Sequence, residues 1–160
     1  MEGLVRARDV MVFLGITREG GYPAIQFIGM RLLLDDGRTF TMVNIPLEVA
    51  LAVRALKGEG EFPERKSLFD LLANFESFKD EIARTLRRVV INELDPRTGL
   101  YTATAEFEED GLVSKVKMIP SHAVFLAMLV GAPIYVSEDL VDTMDFLEEF
   151  KGEEESEDDE

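Results

Sequence analysis

The amino-acid sequence predicts an α+β domain made of two successive β-β-β-α units, with a mostly antiparallel or mixed sheet packed with buried helices. An Asp-Gly turn signal occurs at 36–37 and again at 110–111. Each is followed by a strand-like segment, by an Ile-Pro pair at 45–46 or 119–120, and by an apolar helix. A recurrence of this length indicates two copies of one supersecondary unit, so we predict an internal duplication.

The second copy, at about 82–150, has the clearer pattern. Apolar and polar residues alternate from 101 to 108, which predicts a half-buried strand. The Asp-Gly pair predicts a two-residue hairpin turn, because type I′ turns need positive φ angles. Charge and burial then agree on one register. It pairs Glu106 with Lys115 and Thr104 with Lys117 on the solvent face, and Ala105 with Val116 and Ala103 with Met118 on the core face.

The first copy, at about 5–78, follows the same order with more apolar strands. Both Ile-Pro helices are apolar nearly all round, so we expect them to be buried between the sheet and neighbouring elements. The remaining elements follow from hydrophobic periodicity. We predict strands at 10–16, 24–34 and 38–43, a central strand at 86–94, and minor helices at 67–78 and 137–150.

Length and composition fit one domain at 1–150, followed by an acidic tail at 151–160. The 160 residues are 46% hydrophobic and 31% charged, as in globular chains with a real core. The tail has no apolar residue, so we predict that it is disordered. No signal core and no apolar run of about 20 residues occurs, which predicts a cytoplasmic location without a membrane span. Abundant Glu, Lys and Arg beside a single glutamine is typical of thermophilic proteins.

Composition also restricts the chemistry. The chain has no cysteine, which excludes disulfides, thiolate zinc sites and cysteine nucleophiles. Its single histidine excludes a histidine-rich metal site. The net charge of −15 gives no general electrostatic attraction for nucleic acid. Phosphate chemistry would therefore need a local basic patch or bound divalent cations.

Two residues at the starts of the apolar helices are the candidate catalytic groups. His122 lies in the first turn of the second apolar helix, where the helix dipole disfavours an imidazolium, so we expect a neutral ring able to accept a proton or bind a metal. The alternative is a structural residue that closes the helix end or is simply exposed. Glu48 occupies the equivalent position of the first copy, where the alternative is an ordinary dipole-compensating carboxylate. Pseudo-symmetry would bring the two helix starts together, and ligand sites often form at such interfaces.

Charged residues near the minor helices are candidate metal ligands and phosphate contacts. Asp70, Glu138 and Asp142 would hold Mg²⁺ or Mn²⁺ if they converge, since these ions prefer oxygen ligands. The alternative is that they are solvated surface carboxylates. Two basic groups, one at Arg65 and Lys66 and one at Arg84, Arg87 and Arg88, would contact phosphates or form ion pairs with the excess of acids.

The segments 118–123 (MIPSHA) and 131–138 (GAPIYVSE), with the apolar helix between them, resemble the signature of the bifunctional nuclease domain family. Arg65 and the Asp-Leu-Leu run at 70–72 resemble a second family block, and Glu48 resembles an acidic residue of a third. The resemblance spans roughly 45–145 and implies metal-assisted cleavage of DNA and RNA. This sequence departs from the family at His122, Phe69 and Ile119, where the family has Asp, His and a basic residue.

Two hypotheses about function follow. The resemblance implies a metal-dependent nuclease in which carboxylates such as Glu48, Asp70 and Asp142 hold the cation and His122 orients or deprotonates water. The alternative is a non-catalytic, homo-oligomeric regulatory domain that binds a small ligand or a partner at the interface of the two copies. The acidic body and the missing polar positions favour the alternative.

Overall fold

A computed structural model describes residues 3–144 of the chain. The predicted acidic tail lies outside these residues. The strands are β1 (Leu4–Glu19), β2 (Tyr22–Leu34), β3 (Thr39–Val43), β4 (Leu86–Asp95), β5 (Leu100–Glu109), β6 (Leu112–Met118) and β7 (Ile134–Ser137). The helices are α1 (Leu47–Leu56), α2 (Leu68–Ala73), α3 (Glu76–Thr85) and α4 (Pro120–Val130), and residues 138–144 are also helical.

All seven strands form one mixed sheet in the order β3-β2-β1-β7-β4-β5-β6. Every neighbouring pair is antiparallel except β4 and β7, which are parallel. The predicted α+β class with a mixed sheet is therefore confirmed. The order strand, strand, strand, helix occurs from β1 to α1 and again from β4 to α4. That the two units arose by duplication stays a prediction.

The short strand β7 joins the two halves of the sheet. It pairs with residues 4–6 of β1 on one side and with residues 89–91 of β4 on the other. In the sequence, its apolar residues stand out only as part of the family-like motif at 131–138. A strand of four residues, with three of them buried, carries no alternation that would reveal it.

The predicted register of the β5–β6 hairpin is confirmed at all four pairs. Arg88 from β4 reinforces it, because its Nε lies 2.6 Å from Oε2 of Glu106. This hydrogen bond lowers the pKa of the Glu106 carboxyl. Thr104 was placed on the solvent face, but it is only 9% exposed, and its hydroxyl donates to Asn92 Oδ1 at 3.3 Å. The assignment of Val116 to the core was also wrong, since this side chain is 45% exposed. The reason is that β6 is the edge strand of the sheet and most of its residues are exposed.

Strands β1 and β2 extend well past their neighbours. The pairing of β1 with β7 stops at Arg6, and the pairing of β2 with β3 begins at Gly29. Residues 8–28 therefore form a two-stranded projection, which we call the β1–β2 arm. Between these two strands the Phe13 ring covers Gly29, at the base of the arm, and the Phe27 ring covers Gly15, so that a Cβ atom at either glycine would collide with the ring. These cross-strand pairs fill the space that glycine leaves open.

Helices α1 and α4 pack against each other over the sheet, and their inward residues are fully buried, as predicted. The predicted helix 67–78 is instead two helices, α2 and α3. It breaks at Asn74, whose side-chain amide donates to the carbonyl oxygen of Asp70 at 2.6 Å. Such side-chain bonds to the backbone compete with helix continuation. Between residues 3 and 144 no helix combines the length and apolar character needed to cross a bilayer.

Candidate functional site

A cleft of about 270 Å³ opens between the first turns of α1 and the start of α2. We call it the α1–α2 cleft. Its lining combines apolar residues with two acidic and two basic side chains. Its lining residues are Leu47, Glu48, Leu51, Pro63, Arg65, Lys66, Ser67 and Asp70. Two of the predicted site residues, Glu48 and Asp70, therefore share one cleft.

A capping box holds Asp70 in place. The Ser67 hydroxyl accepts a hydrogen bond from the Asp70 N–H at 3.3 Å, and Asp70 Oδ2 accepts one from the Ser67 N–H at 2.9 Å. The spacing Ser-x-x-Asp is the sequence signal for this motif, and our sequence analysis missed it. Asp70 is only 2% exposed, and its second oxygen, Oδ1, has no hydrogen-bond partner in the described part of the chain.

His122 contacts α2 through Phe69, the residue before Asp70, and does not line the α1–α2 cleft. Its ring meets the Phe69 ring edge to face at 4.9 Å, and Phe69 also contacts Phe125 at 5.2 Å. The ring is half-buried and makes no side-chain hydrogen bond within residues 3–144. Burial lowers the pKa of His122. The ring is thus biased toward the neutral form, and the cause is its partial burial.

Helix α2 connects the two predicted helix starts. Phe69 touches His122 on α4, and the next residue, Asp70, shares a cleft with Glu48 on α1. Two buried side-chain oxygens in the described chain lack a hydrogen-bond partner, Asp70 Oδ1 and Ser121 Oγ. Asp70 follows Phe69 in the sequence, and Ser121 precedes His122, so each lies next to one member of the Phe69–His122 contact. Buried polar atoms without partners are rare, and a bound water, an ion or a catalytic role commonly explains them.

The two predicted basic groups behave differently. Arg84, Arg87 and Arg88 each pair with a glutamate at 2.6–3.0 Å, which agrees with the ion-pairing alternative. Arg65 and Lys66 are exposed and have no ion-pair partner among residues 3–144. Both line the α1–α2 cleft. Their charges therefore remain available to an anionic ligand.

The predicted metal ligands are only partly brought together. No three His, Cys, Asp or Glu side chains within residues 3–144 group so as to hold an ion by themselves. Asp142 instead lies 2.8 Å from an Arg38 nitrogen, and Glu138 is exposed with its N–H bonded to the Gly3 carbonyl. Glu48 and Asp70 remain, and Asp70 Oδ1 lacks a partner. Two carboxylates match the protein ligands that Mg²⁺ commonly has, since this ion is often held by one or two carboxylates together with waters and substrate phosphates.

Comparison with known proteins agrees with the sequence resemblance. No curated protein matches the chain. The family model for the bifunctional nuclease domain matches residues 32–149, which include the α1–α2 cleft, all of α4 and His122. Because this match covers well over half of the sequence, the chain belongs to the bifunctional nuclease domain family.

Proposed function

We propose that the α1–α2 cleft is the substrate site of a nuclease that hydrolyses phosphodiester bonds of DNA or RNA. One observation carries the proposal. The cleft holds two cations without ion-pair partners in the described chain together with two carboxylates, and α2 carries both Asp70 of the cleft and Phe69, which contacts the half-buried His122. Membership of the bifunctional nuclease domain family supports the same chemistry.

Arg65 and Lys66 are the proposed phosphate contacts. The chain carries a net charge of −15, so a nucleic acid would be repelled unless a local patch attracts it. An arginine fork binds two phosphate oxygens at once, whereas a lysine acts as a compact point charge. Together they would place a backbone phosphate against the carboxylates of the cleft.

Glu48, Asp70 and His122 are the proposed reacting and positioning groups. Glu48 is exposed in the cleft, and His122 is half-buried, so both are reachable from solvent. A neutral imidazole can accept the proton that water loses as it attacks phosphorus. Glu48 and Asp70 would hold Mg²⁺ or Mn²⁺ there, and such an ion, when bound, neutralises phosphate charge.

The phosphate contacts can be tested by removing them. We expect Arg65→Ala with Lys66→Ala to weaken binding of a single-stranded oligonucleotide and to reduce the salt slope of log K by roughly 0.7 for each contact removed. Fluorescence anisotropy across a salt series measures both. Arg97→Ala is the matched control, because Arg97 is 89% exposed and lies outside the cleft. Unchanged affinity and slope in the double variant would remove the cleft from the proposal.

The chemical step needs its own assay. Purified protein is mixed with single-stranded and duplex substrates in the presence of Mg²⁺, Mn²⁺ or a chelator, and the products are separated by length. We expect cleavage that the chelator abolishes. Absence of cleavage under every condition would instead favour the non-catalytic alternative.

The β1–β2 arm favours that second candidate, a homo-oligomeric binding domain. A two-stranded hairpin is only marginally stable in water, and its outer edges offer unpaired N–H and C=O groups. Several of its apolar side chains are exposed, namely Met11 at 39%, Ile16 at 58% and Tyr22 at 80%. A second copy related by two-fold symmetry would supply an identical edge and cover these side chains. We therefore propose that two chains associate through their arms.

Light scattering tests this association. We expect wild-type protein at twice the chain mass of 18.0 kDa, and the Met11→Lys, Ile16→Lys variant at 18.0 kDa, since buried lysines would oppose association. Leu100→Lys is the control, because Leu100 is 67% exposed outside the arm. A wild-type mass of 18.0 kDa would rule out the dimer.

A further inference from the structure

We propose that a second cleft, at the far end of α1, binds a phosphate group through Arg6 and Arg8. This cleft of about 240 Å³ lies between β1, the end of α1 and the C-terminal end of α4. It is separate from the α1–α2 cleft, because the ten residues of α1 span about 15 Å between them. The inference does not depend on the proposed nuclease activity.

Arg6 and Arg8 are the basic residues that this cleft leaves available to a ligand. Neither has an ion-pair or hydrogen-bond partner for its side chain among residues 3–144. Half of the ten arginines whose side chains the structure describes pair with a carboxylate, namely Arg38, Arg84, Arg87, Arg88 and Arg97. Arg6 and Arg8 instead lie two residues apart on β1, line the same cleft and are both exposed, so both can meet an external anion.

The third cation of the cleft is already neutralised and acts as part of its wall. Lys57 Nζ lies 3.1 Å from Asp9 Oδ1 and 3.4 Å from a Glu59 carboxylate oxygen, and it also donates to the Val10 carbonyl. This pairing lowers the pKa of Asp9 against the opposing effect of its partial burial. Lys57 thus pairs with both carboxylates, and the three positive charges of Arg6, Arg8 and Lys57 against the two negative charges of Asp9 and Glu59 leave one positive charge in excess.

The backbone around the two arginines is fixed. Residue 6 of β1 pairs with Tyr135 of β7, and its carbonyl oxygen accepts a hydrogen bond from the Asp35 N–H at 2.9 Å. The β1–β2 register shifts between Ala7 and Asp9, so Arg8 is the extra residue of a bulge. Bulges re-aim a side chain and recur beside functional sites. An anion bound here would meet donors whose main chain is ordered in advance, which lowers the entropic cost of binding.

The opposite wall suits the apolar part of a phosphate ester. It consists of small and apolar residues at the end of α4 and the start of β7, which are Ala127, Met128, Gly131, Ala132, Pro133 and Ile134. Arginine forks bind phosphate oxygens in pairs. A ligand with a phosphate group and an apolar or aromatic remainder therefore fits both walls. A free mononucleotide and one unit of a nucleic-acid strand both have this chemistry.

Titration calorimetry with three probes tests the site and separates the two sources. The probes are inorganic phosphate, adenosine monophosphate and a short single-stranded oligonucleotide. The proteins are the wild type, the Arg6→Gln, Arg8→Gln variant, and Arg97→Gln as a control, because Arg97 is 89% exposed and lies outside both clefts. Circular dichroism first establishes that each variant is folded.

We expect the Arg6→Gln, Arg8→Gln variant to lose about tenfold or more in affinity for each charge-assisted contact removed, while the control variant keeps the affinity of this site. A loss seen with phosphate and mononucleotide assigns the site to small ligands, and a loss seen with the oligonucleotide alone assigns it to a strand. The affinity of the Arg6→Lys, Arg8→Lys variant should lie between those of the wild type and the glutamine variant, since lysine keeps the charge but lacks the planar fork of arginine. Equal binding of all three probes by wild type and glutamine variant, or no binding of any probe, would overturn the proposal.

Discussion

Replacing Phe125 by alanine is expected to lower the free energy of unfolding by about 3–5 kcal/mol, the usual cost of deleting a buried aromatic ring. Phe125 lies on α4, is only 1% exposed and meets the Phe69 ring at 5.2 Å. Helix α4 packs against α1, α3, β4 and β5, so the surrounding side chains have little freedom to close the cavity. Denaturant unfolding monitored by circular dichroism measures the change.

Phe75→Ala is the matched control for this experiment. It makes the same chemical change, but Phe75 is 52% exposed between α2 and α3. We expect its effect to stay within about 0.5 kcal/mol, as at other exposed positions. Equal losses in both variants would contradict the burial of α4. Because Phe125 supports Phe69, which in turn contacts His122, the buried substitution should also loosen the histidine.

The parts of the fold that follow from local sequence were predictable. In the β5–β6 hairpin, the Asp-Gly turn, the Glu106–Lys115 charge pair and the alternation of apolar and polar residues in β5 all favour the register that the structure shows. Strand β7 and the break at Asn74 were missed for different reasons. The strand is too short to show a period, and the break depends on one side-chain hydrogen bond.

The candidate site was predictable only where its residues lie at helix starts. Glu48 and Asp70 each mark the first turn of a helix, and the fold brings those two starts to one cleft. Asp142 was predicted as a ligand because it is a carboxylate near a minor helix. Its pairing with Arg38 joins residues far apart in sequence, and no local pattern reports such a contact. The same limit hid Arg6 and Arg8, whose lack of partners is visible only in three dimensions.

His122→Asn is expected to lower nuclease activity by about 100-fold or more, the usual scale for loss of a general base. The amide should preserve the fold, since asparagine suits a helix N-terminus and the ring makes no side-chain hydrogen bond within residues 3–144. Single-turnover cleavage measures the rate, and the melting temperature checks the fold. His122→Asp, which restores the family-like residue, should recover more metal-dependent activity than asparagine, because a carboxylate binds Mg²⁺ and an amide binds it poorly.

The pH dependence separates catalysis from a purely structural effect. Burial lowers the pKa of His122, so the neutral, proton-accepting form persists as the pH falls to 6.5, the ordinary value for histidine, and below it. Wild-type activity should therefore be level above pH 6.5 and fall only once the pH passes through the lowered pKa. The free energy of unfolding should also fall as the pH drops from 6.5 toward the lowered pKa, because the unfolded chain takes up the proton before the half-buried ring beside Phe69 does. In the His122→Asn variant, the contributions of His122 to the loss of activity and to the loss of stability at acid pH should both be absent. Equal rates and equal pH profiles in the wild-type, asparagine and aspartate proteins would leave His122 as an ordinary residue of a helix end.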